Sequence, residues 1–255
     1  MTALRPEERF SDRADYYARF RPGYPDAVVT ILREECGLQP DWFVADVGSG
    51  TGLLARLLLQ QGYRVHAVEP NEAMRQEALA ALGADPGFIS VHAKAEATTL
   101  PPQAVDLITV AQAIHWFEPQ STRQEFVRIL KPEGWLAVVN NRRGNDTPVL
   151  HDTEAVLADY RGHRRQGVDH WEWGDALAEL YFGPGSWHLR TCANRQVLDL
   201  EGFLGRWLSQ STVPCPGEPR HDEIVARLRA VFEVHQANGT VSVPYVTHVT
   251  VGHVR

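Results

Sequence analysis

The sequence predicts an α/β protein built on a doubly wound, mostly parallel sheet. Three observations carry that prediction. Short apolar runs alternate with amphipathic helical segments between residues 42 and 140, the pattern of strands joined by helical crossovers. The turn after the first strand, Asp46-Val47-Gly48-Ser49-Gly50-Thr51-Gly52, is rich in glycine and opens a helix. The segment Val105 to Ala111 is almost wholly apolar, as a strand covered on both faces must be.

Residues 1–40 read as mostly helical, with Phe10, Tyr16, Tyr17 and Phe20 among polar residues, until Arg21-Pro22-Gly23-Tyr24-Pro25 breaks the run. A second helix, about 26–36, stops at Gly37. Val44–Val47 is the first strand, Leu53–Gln61 a leucine-rich helix ended by Gly62, and Arg64–Glu69 the second strand. Asn71 is suited to cap a helix reaching about Leu82. Strands follow at Phe88–His92, Val105–Ala111 and Trp135–Asn140, with a helix over Gln120–Leu130 between the last two. Right-handed crossovers place a ligand at the carboxyl ends of such strands.

Beyond residue 145 the rhythm changes. Residues 147–182 read as helical, 187–198 as a strand, 200–209 and 218–237 as helices, and the valine- and threonine-rich 241–254 as a strand. One structural domain is expected, in four stretches: cap helices over 1–40, a ligand-binding core over 41–145, a helical insertion over 146–186 covering the substrate, and completion of the sheet over 187–255.

Composition removes several functions. The formal charge is −7, from 25 basic and 32 acidic residues, whereas duplex binding calls for a basic surplus. No nucleic-acid partner is expected, and the basic stretch Arg161-Gly162-His163-Arg164-Arg165 reads as a solvated helix face. No apolar run approaches the roughly 18 residues of a membrane helix, and the opening MTALRPEERF has no apolar core. Three cysteines, Cys36, Cys192 and Cys215, form no CxxC pair and suit a reducing, cytoplasmic setting with free thiols. None of the eleven histidines stands in HExxH, so no metal is expected.

The glycine turn lets a ligand approach the backbone and the amides of the following helix. Gly50, Gly52 and Ala55 satisfy a degenerate G-x-G-x-x-A dinucleotide pattern, while the register from Gly48 meets Leu53 instead. Without Gly-Lys-Ser/Thr the turn is no P-loop. Asp46, two residues before the first glycine, argues against phosphate, because unit charges about 4 Å apart interact by roughly 1 to 4 kcal/mol. A carboxylate there suits a ligand carrying an amino group or a sulfonium, and S-adenosylmethionine carries both. Glu69, 21 residues beyond Gly48, is placed to accept hydrogen bonds from two ribose hydroxyls. It supports an adenosine ligand without choosing between the two cofactors. The competing roles are a helix cap for Asp46 and an exposed strand-end acid for Glu69.

The segments VADVGSGTGLLARLL, VHAVEPNEAM, HAKAEATTLP, VDLITVAQAIHWF and LKPEGWLAVV, in that order, resemble the class I S-adenosylmethionine-dependent methyltransferases. The chain is most similar to the small-molecule group that includes the ubiquinone/menaquinone-biosynthesis and trans-aconitate enzymes, and FSDRADYYARFRPGYP is similar to the N-terminal cap of the latter. The resemblance covers roughly residues 10–140. It implies a Rossmann-like seven-stranded sheet whose last two strands are 187–198 and 241–254. It implies that Gly48, Ser49 and Gly50 line the methionine end of the cofactor, that Asp46 holds its amino group and that Glu69 takes the ribose. It also places Pro70 and Met74 against adenine, Ala95 and Glu96 at the adenine edge, and Ala111 and Gln112 beside the methyl. Tyr16 and Arg21 fall in the cap, with Arg21 suited to a carboxylate. Met74 and Tyr16 serve equally as packing residues.

Methyl transfer from a sulfonium is an in-line displacement, and the cofactor supplies the activated methyl. The protein brings the acceptor into line and excludes water; a base is needed only where the acceptor loses a proton. His115, after the fourth strand, is the candidate base, the alternative being a histidine that shapes the pocket. Trp116 and Phe117 are candidates for an apolar wall. Arg142 and Arg143 are candidates for an anionic acceptor or solvated loop arginines, and Trp171 and Trp173 line the acceptor or pack the insertion. The expected function is methyl transfer to a small-molecule acceptor. The alternatives are a non-catalytic S-adenosylmethionine-binding protein and an NAD-dependent oxidoreductase. Removing Glu69 is expected to weaken cofactor binding while leaving folding nearly intact.

Overall fold

A computed structural model describes residues 14–143, 147–161, 173–210, 213–214 and 216–255. Seven strands form one sheet in the order β3-β2-β1-β4-β5-β7-β6: β1 Phe43–Val47, β2 Arg64–Val68, β3 Phe88–Val91, β4 Val105–Ala111, β5 Leu130–Arg142, β6 Trp187–Leu198 and β7 Val241–Gly252. Pairs β1–β2, β2–β3, β1–β4 and β4–β5 are parallel. The order reverses between β1 and β4, which makes the crevice beyond their carboxyl ends the switch point of the fold.

Helices follow the sequence signals: α1 Ala14–Phe20, α2 Ala27–Cys36, α3 Leu53–Gln60, α4 Glu72–Leu82, α5 Pro119–Ile129, α6 Pro148–Arg161, α7 Asp175–Phe182, α8 Leu200–Leu208 and α9 His221–His235. α2 ends at Gly37, whose left-handed φ of 71° turns the chain out of the helix. Asn71 caps α4 by accepting the Met74 amide at 3.0 Å, as the sequence predicts. Two differences have physical causes. β5 begins at Leu130 rather than near Trp135, because Leu130 pairs with Val105 across a register shift while the exposed Lys131-Pro132-Glu133 carries no apolar signal. A 3-10 turn at Ile114–Trp116 was not expected; it is too short to show a period.

The described residues pack into two compact units. The sheet unit comprises 23–141, 173–192 and 247–255; the helical unit comprises 14–22, 142–143, 147–161 and the described residues within 193–246. This division does not follow the four consecutive stretches: the sequence groups α2 with the cap, yet α2 belongs to the sheet unit through Val28, Val29, Leu32 and Cys36.

Strand alternation gives the sheet unit two apolar cores. Val44, Val65, Leu107 and Val139 point to one, with α2, α3 and α4. Ala45, Val47, Ile108, Val110 and Val138 point to the other, with α5 and α7. β4 is thus covered on both faces, as its composition predicts. The helical unit has its own core, with Leu157, Phe203, Trp207, Leu228 and Val243 among its members.

Candidate active site

The site is built where β1 ends. Gly48, Gly50 and Gly52 all have left-handed φ, of 68°, 57° and 79°, but they do different work. A Cβ on Gly48 would lie 2.6 Å from the Ala113 Cβ and 2.8 Å from the Phe117 ring, and one on Gly52 would lie 2.6 Å from Leu82. Those two glycines allow close packing. A Cβ on Gly50 would meet nothing within 4 Å, so Gly50 borders open space. The turn is pinned by the Gly48 and Ser49 amides, which donate to the Val68 carbonyl at 2.8 and 3.1 Å.

Asp46 is wholly buried. β1 and β4 set it opposite Thr109, whose hydroxyl donates to Asp46 Oδ1 at 2.9 Å. Oδ2 is buried without a hydrogen-bond partner, and so are Ser49 Oγ and Thr51 Oγ1. Burial pushes the Asp46 carboxyl up to about 7 against the Thr109 hydrogen bond and the Ala55 backbone amide; nearby Glu69 adds to the rise.

Glu69 follows β2 and is buried. Its Oε2 accepts the Gly50 amide at 2.9 Å and its Oε1 the Asn71 amide at 2.8 Å. Burial raises its pKa, and those two amides moderate the rise. Glu69 therefore holds the glycine turn to the start of α4. This corrects the expectation that its removal spares the fold, since two amides would lose their acceptor. Each carboxylate oxygen keeps a second lone pair. Glu69→Gln, whose single amide oxygen can accept only one of the two backbone amides, is expected to weaken adenosine-ligand binding by about 1–3 kcal/mol and to lower Tm, and Glu69→Ala to lower Tm further. Calorimetric titration beside a thermal melt checks both; Glu69→Gln binding as tightly as the parent would rule out a ribose contact.

Around these acids, Pro70 accepts a His92 ring nitrogen at 3.0 Å through its carbonyl, and Met74 and Ala95 are buried. Glu96 Oε1 accepts the Glu118 amide at 2.9 Å, tying its turn to α5. Ala111 closes β4. Gln112 follows in a left-handed conformation with φ 55°, held by its amide to Val139 O and its Nε2 to Asn141 O, both at 3.0 Å. A non-glycine residue in that region at the switch point is the kind of strain found at functional sites. His115 and Trp116 share the 3-10 turn, their ring centroids 4.9 Å apart.

The sheet unit thus brings together Asp46, Gly48, Ser49, Gly50, Glu69, Pro70, Met74, Ala95, Glu96, Ala111, Gln112, His115 and Trp116. Arg21 belongs to the helical unit, as does Arg142, exposed at the end of β5. Trp171 and the Tyr16 side chain lie outside the described residues. Sequence reasoning missed Thr109, whose only signal is a hydroxyl in an apolar strand, and Ala113, which with Phe117, a residue expected in an apolar wall, backs Gly48. Among the described residues no group of three or more His, Cys, Asp or Glu is arranged to hold a metal ion, and no helix is long and apolar enough to cross a membrane.

A doubly wound sheet with a glycine turn at its switch point and two buried acids defines a cofactor-binding domain. Residues 45–138 match the methyltransferase domain family. A methyltransferase-like protein of Schizosaccharomyces pombe is 31% identical over 185 residues, 72% of this chain and 68% of its own. A methyltransferase of Mycobacterium tuberculosis is 35% identical over 134 residues, and the match spans about half of either chain, 52% of each. Among solved structures, one assigned as a type II methyltransferase from Anaeromyxobacter dehalogenans matches with TM-score 0.59 and 26% identity, over 91% of this chain and 96% of that one. The phosphoethanolamine N-methyltransferase 2 of Haemonchus contortus, solved with S-adenosyl-L-methionine, shares the fold with TM-score 0.57 and 15% identity, over 99% and 61%. The chain belongs to the methyltransferase family.

Proposed function

We propose that this chain is an S-adenosylmethionine-dependent methyltransferase acting on a small molecule. The observation that carries the reading is the buried Asp46 carboxylate, with an oxygen lacking a partner beside the glycine turn. A buried carboxylate oxygen without a hydrogen bond is costly, and a cationic amino group relieves it where a phosphate would aggravate it. Orphaned Ser49 and Thr51 hydroxyls and the open space over Gly50 fit the methionine end of such a cofactor. The remaining lone pairs on Glu69 fit its ribose, and Pro70, Met74, Ala95 and Glu96 would border its adenine.

When bound, the cofactor supplies a methyl on a positively charged sulfur. The residues at the strand ends, Ala111, Gln112 and Trp116, would shape the volume in which the acceptor is aligned and water excluded. His115 would take a proton from an acceptor that must lose one. His115→Gln is expected to slow methylation of such an acceptor by about 10²- to 10⁴-fold with cofactor affinity unchanged, measured by single-turnover assay beside titration. An unchanged rate would leave His115 a wall residue.

The test of the reading is calorimetric titration of the full chain with S-adenosylmethionine, S-adenosylhomocysteine and NAD. Binding of the first two and not the third is expected. Binding of NAD alone would replace the reading by the oxidoreductase one, suggested by Gly50, Gly52 and Ala55.

A further inference from the structure

A polar side chain stands in the buried stretch of β4. Thr109 is wholly buried, as are Ile108 and Val110 on either side of it. Valine has nearly the same shape and suits a buried strand as well, without a hydroxyl that costs free energy when buried unpaired. The hydroxyl of Thr109 donates to Asp46 Oδ1 at 2.9 Å. Register fixes the pairing, because Asp46 and Thr109 are directly opposed on the neighbouring parallel strands β1 and β4. They stand on the face of Val44 and Leu107, each two residues away along its own strand.

A hydrogen bond at Oδ1 has two consequences. It fixes the plane of the Asp46 carboxylate, which is otherwise soft about its terminal torsion. With Oδ1 engaged, Oδ2 is the oxygen left buried without a partner, in the turn that also holds the unpartnered Ser49 and Thr51 hydroxyls. The bond also favours the ionised carboxylate. Burial opposes it, and so does the negative charge of Glu69 at the end of β2, while the Ala55 backbone amide in α3 assists with a smaller effect.

We propose that Thr109 is a positioning residue for the cofactor: it clamps Oδ1 of Asp46 and so presents Oδ2 to the amino group of the ligand. The proposal rests on the methyl-transfer reading and adds to it a residue that acts through another.

The experiment titrates the full chain with S-adenosylhomocysteine from about pH 6 to 8.5. Parent and Thr109→Val are compared, and Thr109→Ser with Thr109→Ala forms a second pair that differs only in the hydroxyl. 5′-Methylthioadenosine, an adenosine thioether without the amino group, is the control ligand. In the parent, affinity for S-adenosylhomocysteine rises with pH as Asp46 ionises. In Thr109→Val that rise is expected to move to higher pH, because the ionised form has lost a donor. Affinity is expected to be about tenfold weaker at the acid end, with the gap narrowing toward the alkaline end. Thr109→Ser is expected to follow the parent and Thr109→Ala the valine variant, with 5′-methylthioadenosine bound alike by all four proteins. A threonine that serves only packing would instead change both ligands equally, with no movement along the pH axis. An unmoved profile in Thr109→Val, equal binding of S-adenosylhomocysteine by the serine and alanine variants, or a loss that 5′-methylthioadenosine shares would overturn the proposal and leave the methyl-transfer reading standing. A parent that does not bind S-adenosylhomocysteine would overturn that reading, and the proposal with it.

Discussion

Gly48→Ala is expected to lose about 2–5 kcal/mol of folding stability, from left-handed strain and overpacking together. The new methyl would meet the Ala113 Cβ at 2.6 Å and the Phe117 ring at 2.8 Å, on a backbone held at φ 68°. Neither neighbour is a flexible side-chain end, since Ala113 has nothing to rotate and Phe117 is buried. Gly50→Ala separates fold from function. Its Cβ points into open space, so only the left-handed conformation is penalised, by about 1–2 kcal/mol. The methyl would, however, occupy volume assigned to the cofactor, and S-adenosylmethionine affinity is expected to fall by tenfold or more, a loss of about 1.4 kcal/mol or greater. Denaturant unfolding and calorimetric titration of both variants check this. Full cofactor affinity in a folded Gly50→Ala protein would remove the cofactor from the glycine turn.

Asp46→Asn is expected to make the ligand-free protein more stable and the cofactor weaker. The unfolded carboxyl titrates near its ordinary value, while burial places the folded one at about 7. Between about pH 4 and 7 the folded state binds the proton that the unfolded state has released. Stability is therefore fully present below pH 4, falls as pH rises and levels off above 7, by up to about 4 kcal/mol. Asparagine keeps an Oδ1 for Thr109 and removes that slope, apart from the residue due to Glu69, whose pKa burial also raises. Cofactor binding moves oppositely: an ammonium group pairs with ionised Asp46, so affinity rises with pH toward 7 in the parent. The variant is expected to lose about 1–4 kcal/mol of affinity above pH 7. Thermal melts from pH 4 to 8 read the first effect and titrations at pH 6 and 8 the second. A variant less stable than the parent at pH 8 would show that Asp46 is a structural acid.

Much of this was legible beforehand, for reasons visible in particular elements. β4 matches its predicted limits because seven consecutive residues, six of them apolar or threonine, announce a strand covered on both faces. α4 was marked by its Asn71 cap, and α2 by the Arg21–Pro25 break before it and Gly37 after it. Those breakers set where α2 lies but not which unit it joins. β5 was read short because the exposed Lys131-Pro132-Glu133 has neither period nor apolar character, although the Leu130–Val105 pairing extends the strand. At the site, the glycine turn, Asp46 and Glu69 were picked out by their spacing and Phe117 as an apolar wall, while Thr109 and the Ala113 contact behind Gly48 were not.

The amino-acid sequence alone determined the alternation of strands and helices, the position of the glycine turn and the two acids at strand ends. All of these are local: they depend on period, on breakers and on residue type within a few positions. The tertiary structure decided what long-range register creates. It set Thr109 against Asp46 across β1 and β4, raised both site acids by burial, and gave Glu69 the Gly50 amide. It also gathered Arg21, Arg143 and Arg206 from distant stretches into one unit. Burial and pairing are properties of neighbours brought together by folding, and no local pattern in the chain records them.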